Sequence, residues 1–202
     1  MSRTISFALA ALLLPARPAS PPQPPADAPA YTAAGAMVLP AGYREWVFLS
    51  SGLDISYNAP TSGETGHSVF QNVFVNPTAY RAFLQTGTWA DKTTLVLEIR
   101  GAAPKAGIDR RGQTQTAVRA IEVHVKDSSR IPTGDHWAFY EFGAAATAKI
   151  VDRPASCYTC HESHAAVDTT FVQYYPTLID LARDRHTLSP AFLKDSAHPA
   201  TP

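Results

Sequence analysis

The sequence has few cysteines and methionines, and its charge favours neither sign. Its 202 residues contain two cysteines and two methionines, and 17 basic residues balance 17 acidic ones. Without an excess or a run of Lys and Arg the chain lacks the basic surface that polyanions need, so we expect no nucleic-acid partner. Its N-terminal apolar run, from Ile5 to Leu14, is too short to span a bilayer.

The N-terminus has the order of a secretory signal. Met1-Ser2-Arg3 precedes the apolar run, and a segment rich in small residues and proline follows it. A buried apolar helix is the alternative, but the prolines that follow would interrupt it. We predict a signal peptide and stiff spacer over residues 1–30, cleaved between Ala16 and Ala30, which exports the chain to the periplasm and leaves no membrane span.

The remaining pattern predicts one α+β domain over residues 31–186, followed by a tail over 187–202. Its ordered part begins near Met37. Alternating and β-branched residues predict strands at 69–75, 93–100, 116–126 and 137–142. Asn76-Pro77 and Gly87 mark the ends of a helix, and helical spacing recurs over 144–148 and 168–185. We therefore expect an antiparallel sheet with helices packed on it.

The chain's only cysteines form the segment Cys157-Tyr158-Thr159-Cys160-His161. On a helical turn, two thiols at this spacing reach the two vinyl groups of a haem, and the adjacent imidazole binds its iron. A disulfide or thioredoxin-type pair is one alternative, although no βαβ setting is apparent. A zinc site with His164 is another, although four ligands within eight residues are crowded. We predict one covalent haem c, with His161 as an axial ligand.

A second axial ligand would make the protein an electron carrier, whereas an open position would admit a small ligand. Methionine offers only Met1, in the signal, and Met37, in the loosely structured N-terminal approach to the domain. The other histidines are His67, His124, His136, His164, His186 and His198. Because an isolated histidine is more often an ordinary core or surface residue, we predict a five-coordinate iron. His164 and Asp168 have helical spacing and either orient His161 or form a surface pair.

From Tyr43 to Leu178 the sequence resembles the cytochrome P460 family, which includes the cytochromes c′-beta. The resemblance is carried by the segments 43–47, 73–77 with Tyr80, 86–87, 95–100, 122–128, 137–140, 157–161, 171–173 and 175–178. It implies a dimeric, sheet-rich fold, His161 as the proximal ligand, and a distal pocket walled by strand residues. Some members oxidise hydroxylamine and carry a lysine cross-linked to the haem, whereas the c′-beta branch lacks this bond and binds diatomic gases.

Two of the three polar pocket residues implied by the resemblance are replaced here. Leu97 stands at the position of the cross-linking lysine, and Gln71 at that of an arginine, while Glu122 matches a carboxylate that accepts a proton. The alternative interpretation of Glu122 is a plain solvent-facing strand residue. Lys92 precedes the strand and is interpreted as a solvated turn residue. With Phe70 and Phe74 near Leu97 we expect a mostly apolar pocket, although strand alternation places both opposite to Gln71.

These residues favour a periplasmic haem protein that binds small neutral gases, chiefly nitric oxide and also carbon monoxide. One alternative is a hydroxylamine-oxidising enzyme in which Glu122 takes a proton. The other is an electron carrier in which a histidine fills the sixth position. The resemblance also implies a homodimer, and a redox partner cytochrome is a further expectation.

Overall fold

The computed structural model describes residues 25–56, 68–104, 107 and 111–197. The predicted signal up to residue 24, together with His67 and His198, lies outside these ranges. The strands and helices, in chain order, are β1 (Ala30–Tyr31), β2 (Met37–Val38), β3 (Val47–Leu53), β4 (Val69–Val75), α1 (Pro77–Thr86), β5 (Thr94–Pro104), β6 (Gln113–Lys126), β7 (Trp137–Glu141), β8 (Thr147–Ala148), α2 (Ser156–His164), α3 (Ile179–Asp184) and α4 (Pro190–Ser196). Short 3-10 helices span Tyr43–Glu45 and Val172–Tyr174.

The strands form two antiparallel sheets, which confirms the predicted α+β class. The larger sheet has the order β3-β4-β5-β6-β7, so every strand lies beside its neighbour in sequence. The smaller sheet has the order β1-β2-β8. Antiparallel neighbours need only short connections, and the β4–β5 connection contains α1. Within the described ranges, no helix has the length and apolar character needed to cross a membrane.

One face of the larger sheet carries a row of residues that crosses all five strands. Ser50 is opposite Val73, Val73 is opposite Leu97, Leu97 is opposite Glu122, and Glu122 is opposite Glu141. Directly opposed residues project from the same side of a sheet. We call these five residues the central row.

The opposite face of the sheet is covered by the N-terminal segment. Met37 is 0% exposed and packs in a core cluster with Tyr43, Val96 and Val125. The expectation that Met37 belongs to a loosely structured approach is therefore wrong. Its strand β2 pairs with β8, and this pairing closes the smaller sheet over the core.

The two helices predicted after the last long strand differ from those observed. Residues 144–148 contain the strand β8 instead of a helix, since Ala148 pairs with Met37. The predicted helix over 168–185 is reduced to a 3-10 turn and α3. Thr169 has a left-handed backbone with φ +57°, and Pro176 disfavours a helical conformation in the preceding residue.

The helix α1 has the predicted ends. Asn76 is its N-cap residue, and Gly87 ends it with a left-handed φ of +76°. The Asn76 side chain does not cap the helix, because its Oδ1 accepts from the Thr94 amide at 2.9 Å. Instead, the Asp27 carboxylate accepts from the Thr78 amide at 2.7 Å. Asp27 thus ties the N-terminal segment to α1.

The described part of the predicted C-terminal tail packs on the domain. Ser189 caps α4 by accepting from the Phe192 amide, and its own amide donates to the Ala166 carbonyl at 2.7 Å. The Nδ1 atom of His164, at the end of α2, lies 2.9 Å from the Asp195 carboxylate on α4. Residues 189–195 therefore contact the end of the helix that carries the cysteines.

Candidate haem site

The helix α2 brings Cys157, Cys160 and His161 to one wall of a cavity of about 500 Å³. Residues three and four apart share a helix face, so the thiols and the imidazole project together. The helical turn predicted for this segment is confirmed. Both cysteines are free thiols. The volume is within the range of small-molecule and cofactor pockets.

The ring of His161 is fixed by one hydrogen bond and is neutral. Its Nδ1 atom lies 2.7 Å from the carbonyl oxygen of Thr169. Because a carbonyl only accepts, Nδ1 carries the hydrogen and Nε2 keeps its lone pair, as a metal ligand requires. Burial lowers the pKa of His161 to about 4, although the hydrogen bond to Thr169 opposes this shift. The imidazole is therefore in the ligating form at neutral pH.

Three rings surround the His161 imidazole and restrict its orientation. Their centroids lie 4.2 Å away for Phe171, 4.7 Å for Phe139 and 5.0 Å for His124. His124 stacks on Phe139 with an interplanar angle of 7°. Burial lowers the pKa of His124 well below its usual value, so the ring is neutral. Its Nε2 is buried and has no hydrogen-bond partner in the described part of the chain.

The position of His124 does not suit a sixth ligand opposite His161. Metal–nitrogen bonds are about 2 Å, so imidazoles on opposite faces of one iron have ring centroids roughly 6 Å apart along one axis. The two rings instead meet edge to face, at 5.0 Å and 77°. Of the described histidines, only His124 and His161 line the cavity. His124 thus contacts the candidate ligand from the side.

Three of the predicted pocket residues line the same cavity. Gln71, Leu97 and Glu122 belong to adjacent strands, and Leu97 and Glu122 are direct neighbours in the central row. The Oε1 atom of Gln71 accepts from the Ile55 amide at 3.0 Å, and the NH2 group of the same side chain is a hydrogen-bond donor. The sheet therefore presents an amide donor, a hydrocarbon surface and a carboxylate to the same cavity.

The prediction that Phe70 and Phe74 line the pocket is wrong. Phe74 lies on the opposite face of the sheet, where its ring centroid is 5.7 Å from those of Tyr43 and Phe48. Phe70 has the same parity on β4 and is likewise not a lining residue. Strand alternation permits Gln71 or the two phenylalanines in the cavity, but not both.

Sequence reasoning missed several polar lining residues, among them Ser50 and Glu141. Glu141 is directly opposite Glu122, and both burial and the Glu141 charge raise the pKa of Glu122. Burial chiefly, with smaller contributions from both carboxylates, also raises the pKa of Cys157. The wall is consequently more acidic than the expected apolar pocket. The signal for Glu141 is the register of the β6–β7 hairpin, which places it opposite Glu122.

A family model described as Cytochrome P460 matches residues 40–172, about two thirds of the chain. The chain belongs to the cytochrome P460 family. The match contains all five strands of the larger sheet, the central row and the whole of α2. A comparison with curated proteins gives no significant match.

Membership of the cytochrome P460 family implies a haem cofactor, and the residues of the cavity fit one. The cavity combines two free thiols, a neutral imidazole with an available Nε2, and apolar walls at Val73, Leu95 and Leu97. His161 would bind the iron, and the cysteines would lie beside the porphyrin edge. When bound, the haem supplies an iron whose chemistry is set by its axial ligands and by the polarity of the pocket.

The alternative readings of the cysteine motif find little support in this P460-family fold. The larger sheet is wholly antiparallel, so α2 is not part of a βαβ unit. No group of three His, Cys, Asp or Glu side chains within the described ranges is arranged to hold a metal ion. His164, the fourth zinc ligand considered, contacts Asp195 instead.

Two further predicted residues lie outside the cavity. Lys92 occupies a turn with φ +67° and forms an ion pair with Asp127. Asp168 does not pair with His164, because its carboxylate accepts from the Trp89 amide at 3.0 Å and lies 3.3 Å from the Lys126 ammonium. Asp168 nevertheless adjoins Thr169, the residue that accepts from His161.

Proposed function

We propose that this cytochrome P460-family protein is a c-type haem protein with a five-coordinate iron that binds small neutral gases, chiefly nitric oxide. One haem is attached through Cys157 and Cys160, with His161 as its axial ligand. The observation that carries the proposal is the position of Leu97. This side chain lies in the middle of the central row and lines the cavity, at the position where the resemblance places the cross-linking lysine.

A leucine at this position favours gas binding for two reasons. Its side chain has no nitrogen that could form the covalent bond of the hydroxylamine-oxidising members. It also presents hydrocarbon to the cavity, and a polar ligand without a hydrogen-bond partner is disfavoured on such a surface. Gln71 then acts as the donor to a bound ligand, and Leu97 limits the space for water. Carbon monoxide, as a neutral diatomic, would bind in the same way.

Hydroxylamine oxidation is a second candidate, and Glu122 is the observation in its favour. This carboxyl lines the cavity, and its raised pKa suits a group that exchanges a proton with a bound substrate. The electron-carrier alternative needs a second strong ligand, and the geometry of His124 does not favour it. A His124→Phe variant that keeps the optical spectrum of the wild type would exclude His124 as the sixth ligand.

Export and assembly complete the proposal. The order of residues 1–30 supports secretion to the periplasm, where thioether attachment takes place, and residues 31–186 form the haem domain. A homodimer and a partner cytochrome that exchanges electrons with the haem are proposed from the family resemblance.

Two measurements test the proposed function. Mass spectrometry of a proteolytic digest should find one haem held only by the peptide that contains Cys157 and Cys160. The reduced protein should have a five-coordinate spectrum that changes on addition of nitric oxide. A six-coordinate reduced spectrum unaffected by nitric oxide would contradict gas binding, and a second covalent bond to the haem would favour the enzyme.

A further inference from the structure

The Thr169 carbonyl, which accepts a hydrogen bond from His161 Nδ1, belongs to a turn with an unusual backbone conformation. Asp168 and Thr169 both have left-handed backbones, with φ angles of +48° and +57°. L-residues rarely adopt this region, and a β-branched residue such as Thr169 does so at the greatest steric cost. The Thr169 Oγ1 is also buried, with no hydrogen-bond partner among the described residues. The local sequence therefore opposes the turn, and contacts from elsewhere must stabilise it.

The carboxylate of Asp168 supplies contacts on one side of the turn. Its Oδ2 accepts from the Trp89 amide at 3.0 Å and lies 3.3 Å from Lys126 Nζ. Lys126 Nζ also donates to the Trp89 carbonyl at 2.9 Å. Asp168 thus contacts the segment after α1 and the end of β6, and both of these are distant from it in sequence.

A second set of contacts closes the other side of the turn. The Trp89 indole donates to Thr170 Oγ1 at 2.7 Å, and this hydroxyl donates to the Val167 carbonyl at 2.6 Å. The Thr170 amide donates to the same carbonyl at 2.7 Å. Trp89 and Thr170 are 2% and 1% exposed. Thr169 lies between Asp168 and Thr170, so its carbonyl is held from both sides toward His161.

The direction of that carbonyl matters for the chemistry of the site. A hydrogen bond to Nδ1 orients an imidazole ligand and increases its basicity, so it strengthens the bond from Nε2 to a metal. We propose that Asp168 is a positioning residue that sets the strength of His161 as an iron ligand, through the Thr169 carbonyl. This inference rests on the proposed function insofar as His161 is the axial ligand. It differs from the sequence interpretation, in which Asp168 would orient His161 directly or form a surface pair.

The test compares two Asp168 variants with a control in the haem-loaded protein. Asp168→Ala removes the acceptor, whereas Asp168→Asn keeps an oxygen for the Trp89 amide and loses the charge that attracts Lys126. Asp180→Asn is the control, because Asp180 is exposed and forms an ion pair with Arg183. The readouts are the iron–histidine stretching band in the Raman spectrum of the reduced protein and the reduction potential.

We expect Asp168→Ala to shift the band to lower frequency and the potential to more positive values, since a less basic imidazole donates less charge. Asp168→Asn should shift both in the same direction by less, and Asp180→Asn should shift neither. Unchanged values in Asp168→Ala would overturn the inference, as would an equal shift in the control. If Asp168→Ala does not yield folded protein, unchanged values in Asp168→Asn are decisive against it. Absence of an iron–histidine band in the wild type would instead contradict the proposed function.

Discussion

Glu141 and Glu122 give the cavity wall a negative charge that a small anion must approach. They are directly opposite on β6 and β7, and like charges at such positions repel each other. Glu122 has no ion-pair partner within the described part of the chain. The side chain of Glu141 is exposed at the cavity wall. Neutral gases do not interact with this charge, whereas azide and similar anions do.

Replacement of Glu141 by Gln should therefore change the selectivity of the haem site between anions and neutral ligands. We expect the affinity of the oxidised protein for azide to rise about three- to ten-fold, because one partly screened charge is removed. Spectroscopic titration measures this affinity. The affinity of the reduced protein for carbon monoxide is the internal control and should stay within about two-fold. An equal change in both affinities would show that the wall acts by shape and not by charge.

Glu122 should also make the stability of the protein depend on pH. Because burial and Glu141 raise its folded pKa above the unfolded value, ionisation of Glu122 is penalised in the folded state. The Glu122 charge therefore lowers the free energy of unfolding at neutral pH, and this effect disappears as the pH falls below the unfolded pKa. Glu122→Gln should accordingly raise the Tm at pH 7 by about 0.4–4 °C, from a like-charge pair of about 0.2–1 kcal/mol.

The advantage of Glu122→Gln should then shrink as the pH is lowered, since the wild-type carboxyl becomes protonated and neutral. Thermal unfolding of both proteins at several pH values measures this difference. A Tm difference that is constant from neutral to acidic pH would contradict the assigned cause, because it would reflect packing alone.

At the scale of elements, segments set by local sequence pattern could be predicted, and segments set by non-local pairing could not. β4 was predicted with its observed ends, since β-branched and aromatic residues from Val69 to Val75 precede Asn76-Pro77. Residues 144–148 favour a helix by alanine content, but their pairing with β2 decides the structure. Such pairing is non-local, and a short sequence window does not contain it.

The same distinction applies to the site. The position of Cys157, Cys160 and His161 on one wall of the cavity could be predicted, because it depends on local helical spacing. The faces of Gln71 and Phe74 depend on which side of β4 the chain covers, and the partner of Glu122 depends on the register between two strands. The acceptor for His161 Nδ1 is a backbone carbonyl, so the residue type at position 169 does not predict this hydrogen bond.

The left-handed turn supports a prediction about Thr169 itself. Thr169→Gly keeps the carbonyl, accommodates φ +57° without steric cost, and removes a buried hydroxyl that has no partner within the described ranges. We expect it to raise the free energy of unfolding by about 1 kcal/mol, seen as a Tm increase of about 2–4 °C. Thermal unfolding measures this change.

Thr170→Gly is the matched control on the adjacent residue. It removes the hydroxyl that accepts from the Trp89 indole and donates to Val167, so the Tm should fall. If both glycine variants lower the Tm, the strain assigned to Thr169 is incorrect.

At the scale of the whole molecule, the structural domain extends beyond the family match. The match begins at residue 40, but Met37 is fully buried and the Tyr31 hydroxyl donates to Asp127 at 3.1 Å. The Arg130 guanidinium also lies over the Tyr31 ring, 3.9 Å from its centroid. The segment before residue 40 therefore covers the sheet face opposite to the cavity.

Removal of this segment should destabilise the domain although no cavity residue is lost. Met37→Ala empties a closed part of the core, and truncation of a buried methionine costs about 2–5 kcal/mol. At about 2–4 °C for each kcal/mol, the Tm should fall by roughly 4–20 °C, while the iron–histidine band stays unchanged because Met37 lies across the sheet from His161.

A chain that begins at residue 40 should lose more stability than one that begins at residue 25, which retains Asp27 and its hydrogen bond to α1. Thermal unfolding of the three haem-loaded proteins measures these differences, and equal Tm values for the two shortened chains would place the domain boundary at residue 40.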